Sequence, residues 1–243
     1  MHWLLKINYG YIKVVLLLVL VVFLYAFSSV RNAMRTVAIP VVTFVDEDQL
    51  FVTHETVSKL LIQNQESLVD KPKEIIDLNK LESLLNANPM IKQAEVFMTV
   101  DGLITAEIEQ KKPIARVYTQ DSYYIDESGS FMPLSTNRSA RVPLVTGFVE
   151  KTDLDAVYAV AKTIQSDAFL LHHVVVIHQN QDETIDLKFR GYDFNIHIGT
   201  VQGLDKKISN LKAFYKKAMK DKTLDVYSAV NLKFDKQVIC TKK

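Results

Sequence analysis

The sequence predicts an α+β protein hung from one N-terminal transmembrane helix: a βααββ domain first, then a mixed α/β domain that ends in an edge strand. Three observations predict this. A charge-free run, VVLLLVLVVFLYAF, spans Val14 to Phe27. Leucine-rich stripes at helical spacing lie between β-branched segments over residues 41–110. Period-two alternation then recurs to the end of the chain, interrupted by two amphipathic helical stretches.

The apolar run is the anchor. A bilayer core of about 30 Å needs about 20 helical residues. The stretch from Tyr11 to Val30 meets that length if Lys13 extends its ammonium toward the headgroups. A helix apolar on every side has no place on a protein surface in water. The alternative is a cleaved signal peptide with Ala26-Phe27-Ser28 as its small-residue site, but the run is long for that purpose. Lys6, Lys13 and the amino terminus precede the span, and Arg31 and Arg35 follow it, so charge bias alone is almost balanced. A short tail before a single helix usually stays in the cytoplasm, which places residues 31–243 outside. The expected organisation is a tail at 1–10, a span at 11–30, a linker at 31–40, and domains at 41–112 and 113–243.

Composition narrows the function. The chain has 243 residues, 48% hydrophobic and 23% charged, with 7 Gly and 6 Pro, which describes one or two folded domains rather than long disorder. Lys plus Arg number 29 against 28 Asp plus Glu, so the basic bias of a nucleic-acid binder is missing. A lone cysteine, Cys240, cannot form an internal disulfide or a cysteine metal cluster, and reads as a small apolar residue on a strand.

Within the first domain, Val41–Val45 is a β-branched strand. Thr53 caps a helix with Val57, Leu60 and Leu61 on one face. Residues 63–74, with Pro72, read as a loop. Asp77 caps a second helix with Leu78, Leu81, Leu84 and Leu85 as its buried stripe, and Asn88-Pro89 stops it. Ala94, Val96, Met98 and Val100 alternate with polar neighbours up to Asp101-Gly102, a two-residue turn. Ile104, Ala106 and Ile108 alternate after it.

Pro113 opens the second domain. Strands are expected at Ile114–Tyr118 and Ser122–Ile125, with a turn at Asp126–Gly129, and Val142–Val145 leads to Gly147. Thr152-Asp153-Leu154-Asp155 has the form of a capping box. Its helix would bury Leu154, Val157, Tyr158, Ala161 and Ile164. Strands follow at 174–179, 184–189 and 193–198. A further helix turns Leu204, Ile208, Leu211, Tyr215 and Ala218 inward and Lys206, Lys207, Lys212, Lys216 and Lys217 to solvent or to anionic lipid. The last strand reads as Ala229–Phe234, interrupted, then Gln237–Thr241. A terminal strand at a sheet edge exposes an unpaired ladder that another chain can complete. Lys233, Lys236, Lys242 and Lys243 would guard such an edge or read acidic side chains; the alternative is that the strand is internal or covered.

Motifs of catalysis are scarce. No phosphate-cradling glycine loop, G-x-S-x-G elbow or H-E-x-x-H is present. His172, His173 and His178 come nearest to a metal cluster, but His173 and His178 should face opposite ways on a strand. Asp182, Glu183 and Asp186 read as a polar turn and strand face. No catalytic, cofactor or metal residue is assigned.

Taken together, LESLLNANPMIKQAEVFMTVDGLITAEIEQKKPIARVY at 81–118, YYIDESGSFMPLS at 123–135, VPLVTG at 142–147 and the terminal NLKF at 231–234 resemble the FtsQ/DivIB family of bacterial cell-division proteins. The tail CTKK is similar to Bacteroidetes-type members. NLKF stands where the family has D-L-R-Y, so Asn231 replaces the acid and Phe234 the tyrosine. The resemblance implies a POTRA module at 41–112, a β domain at 113–243, and no catalysis. It implies a single-pass protein of the cytoplasmic membrane, at the septum, that binds FtsB and FtsL outside the cytoplasm and accepts a β-strand at its terminal strand. Lys233 and Phe234 correspond to contact positions, with Asn231, Leu232, Gln237 and Val238 as strand neighbours. Other readings are a POTRA-containing assembly or secretion protein, whose large β-barrel would not fit after Lys112, and a membrane-tethered hydrolase with a dispersed site.

Overall fold

The structure, a computed structural model, describes residues 9–33, 40–46, 50–63, 76–99, 102–234 and 237–243. The expectations for the tail, most of the linker, the loop with Pro72, the turn residue Asp101 and Lys236 lie outside the described residues. Helix α1 is Tyr9–Ala33, and within it Gly10–Arg31 is long and apolar enough to cross a membrane. Its 22 residues span about 33 Å at the helical rise. The helix runs past Val30 because Arg31-Asn32-Ala33 contains no breaker.

The chain divides into two compact units. In the first, β1 (Val41–Phe44), α2 (His54–Gln63), α3 (Leu78–Asn86), β2 (Ile91–Met98) and β3 (Ile104–Gln110) follow in the expected order. The sheet order is β1-β3-β2, with β1 parallel to β3. Both predicted caps form: Thr53 Oγ1 accepts from Thr56 N–H at 3.2 Å, and Asp77 Oδ1 from Lys80 N–H at 3.1 Å. Val57, Leu61, Leu81 and Leu85 are buried with Ala94, Ile104, Ala106 and Ile108 from the sheet, whereas Leu60, Leu78 and Leu84 sit half-exposed at the margin. Thr99 N–H donates to Leu103 O across the hairpin, and Gly102 takes the φ of 88° that its turn requires.

The second unit holds β4 (Pro113–Tyr118), β5 (Ser122–Asp126), β6 (Phe131–Met132), β7 (Leu144–Gly147), α4 (Asp155–Ser166), α5 (Ala168–His173), β8 (Val174–Gln179), β9 (Ile185–Phe189), β10 (Asn195–Gly199), α6 (Leu204–Lys220), β11 (Tyr227–Asn231) and β12 (Ile239–Lys242). Its nine strands form one sheet, ordered β12-β11-β10-β9-β8-β7-β4-β5-β6. The strands at β4, β7 and β8 run parallel, β8, β9 and β10 pair antiparallel, and β10 and β11 are parallel again. One sheet face packs Val117, Val145, Ile177, Leu187, Ile196 and Val230 against α4, α5 and α6 in a single core. That core explains the 3.6-residue stripes on α4 and α6: Val157, Ala161 and Ile164, then Ile208, Leu211, Tyr215 and Ala218, are all buried.

Four expectations are corrected here. The capping box at Thr152 does not form: α4 begins at Asp155, and its cap position is Leu154, drawn into the core and without a side-chain cap bond. Burial of the leucine sets the start of the helix, and the polar residues before it form a turn closed by Asp153 N–H on Glu150 O. Lys207 is not on the solvated face; it is buried and its Nζ donates to Thr200 O at 2.7 Å. His173 lies not on a strand but at the end of α5, its Nδ1 2.7 Å from Phe169 O. The short helix α5 was hidden from sequence because six residues show less than two turns of periodicity. Finally, residues 227–242 form two paired strands rather than one interrupted strand.

Candidate partner-binding site

The end of the chain folds back on itself. β11 pairs parallel with β10 on one side and antiparallel with β12 on the other, so its ladder is closed on both flanks. β12 is the outermost strand of the sheet. Its register sets Ile239 opposite Asn231, Cys240 opposite Val230 and Thr241 opposite Ala229. Ser228 Oγ donates to the carbonyls of Thr241 and Lys242, and Lys243 N–H donates to Val226 O at 2.9 Å, which ties the last residues down.

The sequence-selected residues divide into two groups. Asn231 sits inside the sheet between His197 and Ile239, and its Oδ1 accepts from Lys233 N–H at 2.9 Å. Leu232 is buried, and its N–H donates to His197 O. Neither offers a free ladder position. Lys233, Phe234 and Gln237 are exposed in the connection between β11 and β12, and Val238 packs half-buried on the core just before β12. Lys233 lays its methylenes over Gly199, where a Cβ would come within 2.8 Å of Lys233 Cγ. The sequence reads one interrupted strand, Ala229–Phe234 then Gln237–Thr241; in the structure Tyr227–Asn231 is paired on both sides and Ile239–Lys242 is the outermost strand. The available signal was Asp235-Lys236, a polar pair between two β-prone stretches.

Behind β12, a groove of about 450 Å³ opens between the strand and α6, lined by Asn210, Phe214, Lys217, Tyr227, Val238 and Cys240. Phe214 and Tyr227 meet edge to face at 5.5 Å. Burial pushes the Cys240 thiol pKa up, so this cysteine stays protonated and poorly nucleophilic. Phe234 and Ile239 add exposed apolar surface beside the edge. The ensemble can supply backbone hydrogen bonds along β12 and an apolar seat next to it, which is the chemistry of strand addition.

The face of the sheet opposite the helices carries a polar row: Thr146 Oγ1 and His178 Nδ1 lie 2.9 Å apart, and Asp186 receives His197 Nδ1 at 2.7 Å and Asn180 Nδ2 at 3.1 Å. Sequence reasoning missed the His197–Asp186 pair, since it is made by the β9–β10 register and not by spacing. Among the described residues no cluster of three or more His, Cys, Asp or Glu is arranged to hold a metal.

A long apolar helix, a βααββ unit and a second unit ending on an open sheet edge define a membrane-anchored protein of the POTRA-plus-β-domain class. Residues 39–109 match the POTRA-like domain, and residues 112–241 match the FtsQ/DivIB, C-terminal related family. The chain belongs to the FtsQ/DivIB family, a family of non-enzymatic division scaffolds, and this membership implies a role in cell division. No curated protein matches the sequence.

Proposed function

We propose that this protein is a non-enzymatic divisome scaffold of the cytoplasmic membrane that captures FtsB/FtsL-type coiled-coil partners by β-strand addition. The observation that carries this reading is the position of β12, the last strand of the chain, at the rim of a nine-stranded sheet. A partner strand laid along Ile239–Lys242 extends that sheet. Phe234, Gln237 and Val238 then flank the added strand, Lys233 and Lys242 stand ready for its acidic side chains, and Asn231 and Leu232 hold the hairpin that presents the edge. The segments at 1–10, 11–30, 31–40, 41–112 and 113–243 act as cytoplasmic tail, span, linker, POTRA domain and β domain. The POTRA domain contacts other division components. The whole assembly concentrates at the septum, linking early and late division proteins.

Two expected outcomes test this. The full-length chain, purified from membranes with an affinity tag, retains an FtsB/FtsL-type pair, whereas a chain ending at Val238 loses at least about 100-fold in affinity, the scale of removing an entire backbone ladder. Phe234→Ala in the full-length chain weakens capture by about tenfold, as expected for one apolar contact. Undiminished capture by the truncated chain, with its amide-exchange protection in β8–β10 intact, would refute strand addition. For orientation, protease added outside intact spheroplasts should digest residues 40–243. Complete protection until the membrane is permeabilised would reverse the topology.

A further inference from the structure

Among the described residues β2 is an outer strand of the first unit's sheet, since the order is β1-β3-β2. Its hairpin with β3 fixes which way each backbone group points. Thr99 N–H bonds to Leu103 O across the turn. Counting back along the antiparallel ladder, the N–H and C=O groups of Gln93, Glu95 and Phe97 face β3, and those of Ala94 and Val96 face outward. An open edge here would be a hazard. Ala94-Glu95-Val96-Phe97-Met98 is β-prone and free of proline, and Phe97 is 47% exposed beside the ladder.

The outward groups already have partners, and both come from α3. Ala94 N–H donates to Asn86 Oδ1 at 2.8 Å, and Asn86 Nδ2 donates to Ala94 O at 3.3 Å. Val96 N–H donates to Glu82 Oε2 at 3.3 Å. The Asn86 amide thus presents one acceptor and one donor to a single residue, as a residue of a neighbouring antiparallel strand does. The spacing also fits. Residues four apart on a helix are about 6 Å apart along its axis. Residues two apart on a strand are about 7 Å apart. One turn of α3 therefore meets two successive outward-facing positions of β2. A groove of about 470 Å³ lies along this edge, lined by Glu82, Asn86, Gln93, Ala94, Val96 and Phe97. It gives an extended segment room to approach once the two side chains withdraw.

We infer that Asn86 and Glu82 close the β2 edge against strand addition by imitating the strand that would pair there. The contact is autoinhibitory: a second copy of this chain, or any other extended segment, must displace three hydrogen bonds before it gains its own. The closure concerns β2 alone and holds whether or not β12 accepts a partner.

The test compares three forms of the isotopically labelled full-length chain in detergent micelles: the parent, Glu82→Ala combined with Asn86→Ala, and Glu82→Gln, which keeps a side-chain oxygen for Val96 N–H. In the parent, the Ala94 and Val96 amides exchange at least about 100-fold more slowly than unprotected amides, although they face away from β3. The double variant loses about tenfold or more of that protection at these two amides, while Glu95 and Phe97 keep theirs. It also binds a fluorescent peptide of sequence IKQAEVFM, the β2 segment itself, with a Kd on the order of 100 μM, whereas the parent shows no saturation up to about 1 mM. Glu82→Gln behaves as the parent. Asn86→Ala alone, a milder change, exposes Ala94 and spares Val96. Free exchange of Ala94 and Val96 in the parent, a result that needs no variant, would overturn the inference. So would a double variant that keeps protection at Glu95 and Phe97 yet binds the peptide no better than the parent, or peptide binding by Glu82→Gln equal to that of the double variant.

Discussion

Gly147→Ala unlocks the centre of the large sheet. Gly147 ends β7, pairs with Gln179 on β8, and has a φ of +96°. A Cβ there would sit 2.0 Å from the Gln179 backbone oxygen and 3.0 Å from His178 Cε1. That oxygen cannot move freely, since it also accepts from Phe148 N–H at 3.0 Å. Alanine therefore meets two penalties at once: a backbone conformation that costs an L-residue about 1–3 kcal/mol, and a collision relieved only by breaking the β7–β8 register. The combined loss is about 3 kcal/mol or more. Native-state amide exchange reads it locally: protection of Val145 and Ile177 falls by about 100-fold or more, while the helices and strands of residues 53–98 keep theirs. Protection within about twofold of the parent chain at both amides would show that the sheet end absorbs the methyl group, and the strain argument fails.

Asp126 supports the second large effect. Its side chain lies in the β5–β6 connection and is 1% exposed. Oδ1 accepts from Ser128 N–H at 2.9 Å, Ser128 Oγ at 2.6 Å and Ser130 N–H at 2.9 Å, and the Lys111 ammonium stands 2.9 Å from Oδ2. Burial raises the carboxyl pKa, but the bonds from Ser128, Lys111 and Ser130 outweigh it and hold the value below the ordinary 3.8. Asp126→Ala strands two backbone donors and the Lys111 charge, at a cost of about 2–4 kcal/mol. Asp126→Asn keeps an acceptor for the turn and loses less. The pH dependence has a definite sign. A carboxyl whose folded pKa is depressed stabilises the fold fully above its unfolded value, and that contribution disappears as pH falls through the depressed folded value. Urea unfolding followed from about pH 6 down to about pH 2 should show the difference between parent and Asp126→Asn shrinking below about pH 4. A gap that stays constant across that range would mean the carboxylate charge has no part in holding the connection.

Much of the architecture is legible in the sequence because it is local. Thr53 and Asp77 announce helix starts through bonds to residues three positions on. The Ile104–Ile108 alternation announces a half-buried strand. The apolar run from Val14 to Phe27 announces a helix that no aqueous surface can hold. Where local patterns mislead, a tertiary contact has prevailed. Thr152 looks like a cap, but the core takes Leu154 and moves the helix start beyond it. Lys207 shares a lysine-rich helix face, yet a carbonyl at Thr200 draws it in.

The outer edge of the large sheet shows the same division. A β-prone, lysine-flanked segment is legible in residues 229–243, since its hydrophobic alternation is written in the sequence. Which part of that interrupted strand lies outermost is set by pairing: β10 occupies one flank of β11 and β12 the other, so Ile239–Lys242 is the outer strand of the sheet. The closed edge of β2 is likewise a product of packing, which sets Glu82 and Asn86 of α3 against Ala94 and Val96. The long apolar helix, the βααββ order and the helices α4 and α6 are encoded in short-range periodicity and propensity, which is why residues close in sequence reveal them. The outermost ladder and the neighbours of each charge are fixed by long-range pairing, because they depend on which distant strands hydrogen-bond to one another.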